Sequence, residues 1–313
     1  MYNNKIAVID LGTNTFHLLV IENTTDGIKN IFSEKKAVRI GQGGINHGYI
    51  TEEACIRAIN TLKEFKNICS QLEVGQIYAT ATSAFRNAKN GEELAKKIQQ
   101  ETSIKINIIS GEKEAELIYL GVKEALDLGN NTSMIIDIGG GSVEFIICNK
   151  NSIFWKRSFE IGGQRLMDLF QKSDPMNTDE ISELNQYLKD KLLTLSEAVL
   201  KHQPGMLVGS SGSFDTLSEM DILKKKSEYL LEEKKEYTIS AAAFHDLYHE
   251  LTSKNKEERM QIPGMIELRV DMIVVAAVLI RFILEEYQLQ NIRVSTYALK
   301  EGVMSRIVKG ESI

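Results

Sequence analysis

Two turns in the chain join an aspartate to glycine, asparagine and hydroxyl side chains, the mixture that receives phosphate. The first, in DLGTNTFHLLV, begins at Asp10; the second, in DIGGGSVEFII, begins at Asp137. Successive backbone N–H groups in such a turn point into one concavity and bind an anion without a lysine. An Asp ending the preceding strand sits beside that concavity, where it suits a hydrated Mg2+, an ion that prefers oxygen ligands and keeps several waters. Between the turns lies IISGEKEAELIYLGV, from Ile108. Ser110 is placed to cap a helix beginning near Glu112, and Glu112, Glu114 and Glu116 crowd its first turn. Glu112 and Glu116 are i,i+4 neighbours, whereas Glu114 projects to the side carrying Leu117, Ile118 and Gly121. On that packed side Glu114 is a candidate general base for water; the plainer reading is an acidic cluster complementing the helix dipole. ATATSAFRNAKNG brings hydroxyls, Arg86 and Asn90 to a strand–helix junction that suits a phosphate-binding rim or an ordinary surface. VGSSGSFDT, from Val208, leads a strand into a helix whose first N–H groups suit a phosphate, or forms a plain turn.

Other phosphate motifs fail. G-x-x-x-x-G-K-[ST] is absent, and GGGSVE puts Glu144 where a dinucleotide fingerprint needs its third glycine, with a strand following in place of a helix. His245 and His249 are spaced i,i+4 in HDLYHE, but the order is not HExxH, so a surface helix is expected. His17, between Phe16 and Leu18, reads as a packed or hydrogen-bonded side chain.

The elements that must hold these residues form an internal repeat. Aligning the two turns pairs Asp10 with Asp137, Gly12 with Gly139 and Thr15 with Ser142. Each follows an apolar strand and opens another, so two related halves facing one cleft are expected. Lys5–Leu11, Thr15–Glu22 and roughly Ile28–Ile40 read as a meander of strands. A helix capped by Thr51 runs to about Gln71. Gln76–Thr80, Gly91–Thr102, Lys105–Ile109 and Glu112–Leu126 then alternate as strand and helix. Ser133–Ile138, Ser142–Cys148 and Ser152–Glu160 repeat the meander, helices follow from Gly163, and Met206–Val208 and Ile292–Val294 read as further strands. LKKKSEYLLEEKKEY, from Leu223, mixes charge signs and spaces Leu223, Leu230 and Leu231 as a solvated helical face would.

The 313 residues exceed one ordinary domain, and 37 Lys+Arg against 43 Asp+Glu give a net charge of −6. That excludes a duplex-coating protein, which needs a basic stripe, yet permits one phosphorylated ligand held locally. Cys55, Cys69 and Cys148 form no CxxC, so reduced cysteines of a cytoplasmic protein are expected. Asp10 interrupts the N-terminal apolar run too early for a signal peptide. The run Met272–Ile280 is too short to span a bilayer and reads as a buried helix.

At these residues the chain resembles the exopolyphosphatase and guanosine pentaphosphate phosphohydrolase (PPX/GppA) family of the actin-like ATPase superfamily. DLGTNTFHLLV, TSAFRNAKN, SGEKEAELIYLGV, DIGGGSVE, SFEIGGQRL, GSSGSFDT, RMQIPGMIELRVDMI and YALKEGVM carry the resemblance, in order, over nearly the whole chain. It implies an α/β fold of two actin-like (ribonuclease H-like) domains, each a mixed sheet with flanking helices, around a central cleft. Residues 1–126 with the C-terminal helix 298–313 would form the first, and 127–297 the second. It implies Mg2+-dependent attack of water on a terminal phosphoryl group of polyphosphate or of a phosphorylated guanosine nucleotide, and leaves a homodimer open. By motif, Glu114 is the general base, Arg86 is the family's arginine in TSAxRxAxN and joins the catalytic set, and Asp137, Glu144 and Asp10 are the metal-associated carboxylates. Asp10, Thr13, Asn14 and Thr15 match the first phosphate loop; Gly139, Gly140, Gly141 and Ser142 match the second. Ser210, Gly212, Ser213 and Arg269 complete the phosphate contacts.

Three positions depart from the family pattern. Val143 replaces a Thr, Ser213 stands where Thr is common, and LKEG at Lys300 replaces LREG. Only Val143 loses a hydroxyl. The competing expectations are a kinase of the same superfamily, with an acceptor hydroxyl in place of water, and a non-hydrolysing sensor of an alarmone or polyphosphate.

Overall fold

A computed structural model describes residues 4–24, 27–225 and 235–311. The first sheet contains β1 (Lys5–Leu11), β2 (Thr15–Thr24), β3 (Gly27–Ala37), β4 (Gln76–Ala81) and β5 (Ile106–Ile108), in the order β3-β2-β1-β4-β5. The second contains β6 (Ser133–Ile138), β7 (Val143–Cys148), β8 (Ile153–Phe159), β9 (Met206–Ser210), β10 (Glu236–Ser240) and β11 (Asn291–Ser295), in the order β10-β11-β9-β6-β7-β8. In both, the leading strand pairs antiparallel with the next and parallel with the strand after the first long helix. The two sheets therefore repeat one mixed α/β topology, as the repeat of Asp10 and Asp137 implies.

Local chemistry accounts for the elements. Every residue of SMIIDI and VEFIIC is buried, as expected of strands covered on both faces. Thr51 accepts from the Ala54 N–H to start helix Glu52–Gln71, and Ser110 accepts from the Lys113 N–H to start helix Gly111–Ala125. Helix Ile273–Glu286 is buried along most of its length, which its apolar sequence requires.

Each sheet has its own apolar core, and a third core lies between them. That third core joins helix Gly111–Ala125, helix Leu299–Val308, Val8 of β1, and Ile135, Ile146 and Val208 of the second sheet. Val143 faces the second sheet's core, fully buried, so its methyl groups fill space where a Thr hydroxyl would need a partner.

Three local expectations change. The third strand ends at Ala37 because the Val38 and Arg39 N–H groups both turn to the Asn14 carbonyl. The junction after β4 contains a short helix, Ser83–Asn87, which carries Arg86. The charged run opens in helix Gly212–Lys224 but ends in β10, where Glu236 and Tyr237 pair with β11. There a sheet partner overrides helical propensity. Leu230 and Leu231 lie outside the described residues. Cys69 and Cys148 are buried thiols, Cys55 is half-buried, and none is disulfide-bonded.

Candidate active site

The two turns close by the same bond. The Gly12 N–H donates to the Thr15 carbonyl at 3.1 Å, and the Gly139 N–H donates to the Ser142 carbonyl at 3.0 Å. They face one another closely. A Cβ on Gly141 would lie 2.5 Å from Thr13 Oγ1 and 2.6 Å from Ser83 Oγ, and one on Gly140 would lie 2.7 Å from Asn14 Nδ2. Only glycine allows this approach, so both turns border a single cavity. Thr13, Asn14, Thr15 and Ser142 are buried in it. The cavity encloses about 120 Å3 and opens to solvent.

Register places the carboxylates. Asp10 is opposite His17 across β1 and β2, and Asp137 is opposite Glu144 across β6 and β7. Asp137 Oδ2 accepts from Ser210 Oγ at 2.7 Å and Ser211 Oγ at 2.6 Å. Ser210 thus orients a carboxylate, and Ser211, at φ 71, holds a strained backbone to do the same. Glu144 accepts from Ser158 Oγ at 2.6 Å. Glu114 meets Arg86, with Nη1 2.9 Å from Oε2, while the same nitrogen donates to the Ile109 carbonyl and Nη2 reaches Glu160 at 3.3 Å.

Arg269 lines the cavity from the other wall, and a Cβ on Gly212 would collide with its guanidinium. Gly212 therefore makes room for Arg269, while Ser213 is buried in the first turn of the helix. Three further residues that sequence reasoning passed over, Lys35, Ser211 and Asp215, line this space, as does Lys300 of LKEG. The signal for Lys35 was register, since it pairs with His17, which pairs with Asp10. His17 bonds Thr15 Oγ1 at 3.2 Å, and burial, with Lys300, Lys35 and Arg269 nearby, keeps its imidazole neutral. His245 and His249 stack at 5.9 Å on helix Ala241–Ser253, away from the cavity.

Burial dominates the electrostatics. It raises Glu114 to about 8 against the opposing Arg86, and Asp10 to about 7 against Lys300. Asp137 is raised by burial in spite of its two serine bonds, and Glu144 is raised by burial, then by Glu114 and Asp137. Crowded, desolvated carboxylates of this kind favour a cation. Among the described residues Asp10 Oδ1 has no hydrogen-bond partner, and both bonds to Asp137 fall on Oδ2. The oxygens of Asp10 and Asp137 therefore fit a hard divalent ion. Among the described residues no three His, Cys, Asp or Glu side chains converge as a complete cage, so water and substrate oxygens would supply the remaining ligands.

The raised carboxyl values carry a stability consequence. Between their ordinary values, 4.5 for Glu114 and 3.8 for Asp10, and the raised ones, the folded chain binds protons that the unfolded chain has released. Stability then falls as pH rises through that window. In divalent-free buffer the unfolding midpoint is expected to drop between about pH 5 and pH 8, and Glu114→Gln to flatten the drop. Thermal unfolding across that range checks this, and a midpoint that climbs with pH would contradict it.

The profile of the Ppx/GppA phosphatase family matches residues 19–311. An exopolyphosphatase crystal structure from Cytophaga hutchinsonii superposes with a TM-score of 0.95 at 45% identity, covering 98% of this chain and 99% of that one. Exopolyphosphatase 1 of Mycobacterium tuberculosis is 26% identical over 310 residues, 98% of this chain and 89% of its own length. A Ppx/GppA family member from Aquifex aeolicus shares the fold, with a TM-score of 0.79 at 23% identity over 99% of each chain. Among the described residues no helix is long and apolar enough to cross a membrane.

Proposed function

The chain belongs to the Ppx/GppA phosphatase family, and from that premise we propose that it releases terminal orthophosphate from inorganic polyphosphate by Mg2+-dependent, Glu114-assisted attack of water. The carrying observation is that Glu114, fixed by Arg86 at 2.9 Å, lines the same cavity as both phosphate loops. Phosphoryl transfer needs positioning and charge stabilisation more than covalent chemistry from the protein. The N–H groups of residues 13–14 and 140–142, left over when Gly12 and Gly139 close the two turns, receive the equatorial oxygens of the terminal phosphoryl group. Glu114 accepts the proton of the attacking water, for which its carboxyl must be ionised. Arg269 offsets charge on the phosphate being transferred and on the departing chain. Asp10 and Asp137 would hold Mg2+, with Glu144 supporting Asp137 across the hairpin. When bound, that ion neutralises phosphate charge and stabilises the leaving oxygen.

Guanosine pentaphosphate presents the same terminal phosphoryl group and enters as a second substrate of the same chemistry. The experiment is phosphate release from polyphosphates of graded length, guanosine pentaphosphate and ATP, side by side with and without Mg2+. Release from polyphosphate that requires Mg2+ supports the reading. A phosphorylated acceptor with no free phosphate would replace it with a kinase, and tight binding without release would replace it with a sensor.

A further inference from the structure

A second cavity adjoins the catalytic cleft. Asn14 lines both, and its Nδ2, 2.6 Å from Met272 Sδ, marks the boundary between them. The second cavity encloses about 70 Å3 and opens to solvent, with Arg39, Gln42 and Gln164 on its polar walls. Both phosphate loops hold it. The Val38 and Arg39 N–H groups donate to the Asn14 carbonyl at 3.0 and 2.8 Å, and the Gln164 N–H donates to the Gly140 carbonyl at 2.9 Å.

Two features set the chemistry of Arg39. Its backbone is left-handed at φ 49, a conformation that costs a non-glycine residue energy and persists only where the surroundings enforce it. Arg57 does so from outside, donating to the Val38 and Arg39 carbonyls at 2.8 and 3.0 Å. The Arg39 side chain is exposed, and among the described residues its guanidinium meets no carboxylate. Arg86, Arg165, Arg259 and Arg281 do, whereas Arg57, Arg157 and Arg269, like Arg39, form no ion pair among the described residues. Asp271, the acidic residue on the cavity wall, is engaged by Lys256 at 2.9 Å. The cavity thus presents, on a backbone held in place, a cation that no carboxylate neutralises, beside two amides and next to the loops that take the reacting phosphate.

We propose that this cavity is a distal anion subsite that holds phosphoryl groups of a linear chain lying beyond the one attacked, with Arg39 as its specificity-determining residue. The inference rests on the polyphosphate reading above and names where the rest of the chain goes. A guanidinium gives a charge-assisted bond to phosphate, and such a bond acts equally on ground and transition states, so it lowers KM.

The test compares Arg39→Gln and Arg39→Lys with the wild-type chain on tripolyphosphate, long polyphosphate and guanosine pentaphosphate. Arg39→Gln should raise the KM for long polyphosphate roughly five- to tenfold more than the KM for tripolyphosphate, with kcat on the long chain held. Arg39→Lys should restore part of the loss. Equal effects on short and long chains, or a loss confined to guanosine pentaphosphate, would overturn the assignment. Equilibrium binding of the two polyphosphates without divalent cation reads the subsite separately from hydrolysis. If wild-type protein releases no phosphate yet binds the long chain more tightly than Arg39→Gln does, the catalytic reading falls and the subsite stands. Identical binding by both proteins removes the subsite.

Discussion

Replacing Glu114 with Gln lowers phosphate release by roughly 10²–10⁴-fold, the contribution usual for general-base assistance. The amide keeps the shape and can still accept from Arg86, but it cannot take a proton from water. Arg86 also retains its contact with Glu160, so its position survives. The prediction separates chemistry from folding because Glu114 is 93% shielded from solvent, with 7% of its surface exposed, and its ionised form is disfavoured there. Removing that charge should leave the unfolding midpoint at about pH 8 unchanged or higher. Single-turnover phosphate release, calorimetric binding of polyphosphate and thermal unfolding check the three parts. Near-normal turnover with intact binding would remove Glu114 from the mechanism and move attention to Glu144.

The second large effect is structural. Gly302 on helix Leu299–Val308 and Gly121 on helix Gly111–Ala125 let the two helix backbones touch. A Cβ on Gly302 would run into the Leu117 carbonyl and lie 2.6 Å from its carbon, and one on Gly121 would run into the Ala298 carbonyl. Backbone atoms cannot rotate aside as a side-chain tip can, so the helices must separate and open the core they share with both sheets. Gly302→Ala is therefore expected to cost roughly 3 kcal/mol or more, at the upper end of overpacking effects. At about 2–4 °C per kcal/mol, the melting midpoint falls by roughly 6–12 °C. Gly205→Ala is the control, since a Cβ there meets nothing within 4 Å and the backbone is not left-handed. A Gly302→Ala protein that melts with wild type would show that the two helices do not meet at this point. The substitution also bears on the site, because the displaced helix begins beside Lys300, which lines the cavity.

Most of the fold was legible in the chain because its signals are local. Apolar β-branched runs marked β1, β6 and β7, and Thr51 and Ser110 marked two helix starts through hydroxyls that the structure shows accepting N–H bonds. The strand Glu236–Ser240 was not legible, because charged residues before it read as a helical face and only pairing with Asn291–Ser295 makes it a strand. Lys35 and Asp215 were missed for a related reason. Each looks like an ordinary surface charge until cross-strand register or the turn after Ser210 brings it to the cavity.

What the sequence determined by itself is the repeated pair of aspartate-led turns, the acidic helix start at Glu114 and hence two related halves. Those features depend on residue type and short spacing, which local backbone chemistry reads directly. Tertiary structure alone decided which groups meet: Glu114 with Arg86, Asp137 with Ser210 and Ser211, Thr13 against Gly141, and an Arg39 guanidinium that meets no carboxylate among the described residues. These contacts join residues distant in the chain, and their separations follow from how the two sheets pack around their shared core. The same packing sets the protonation of the cavity carboxylates, because desolvation is a property of the assembled cleft and not of any one segment.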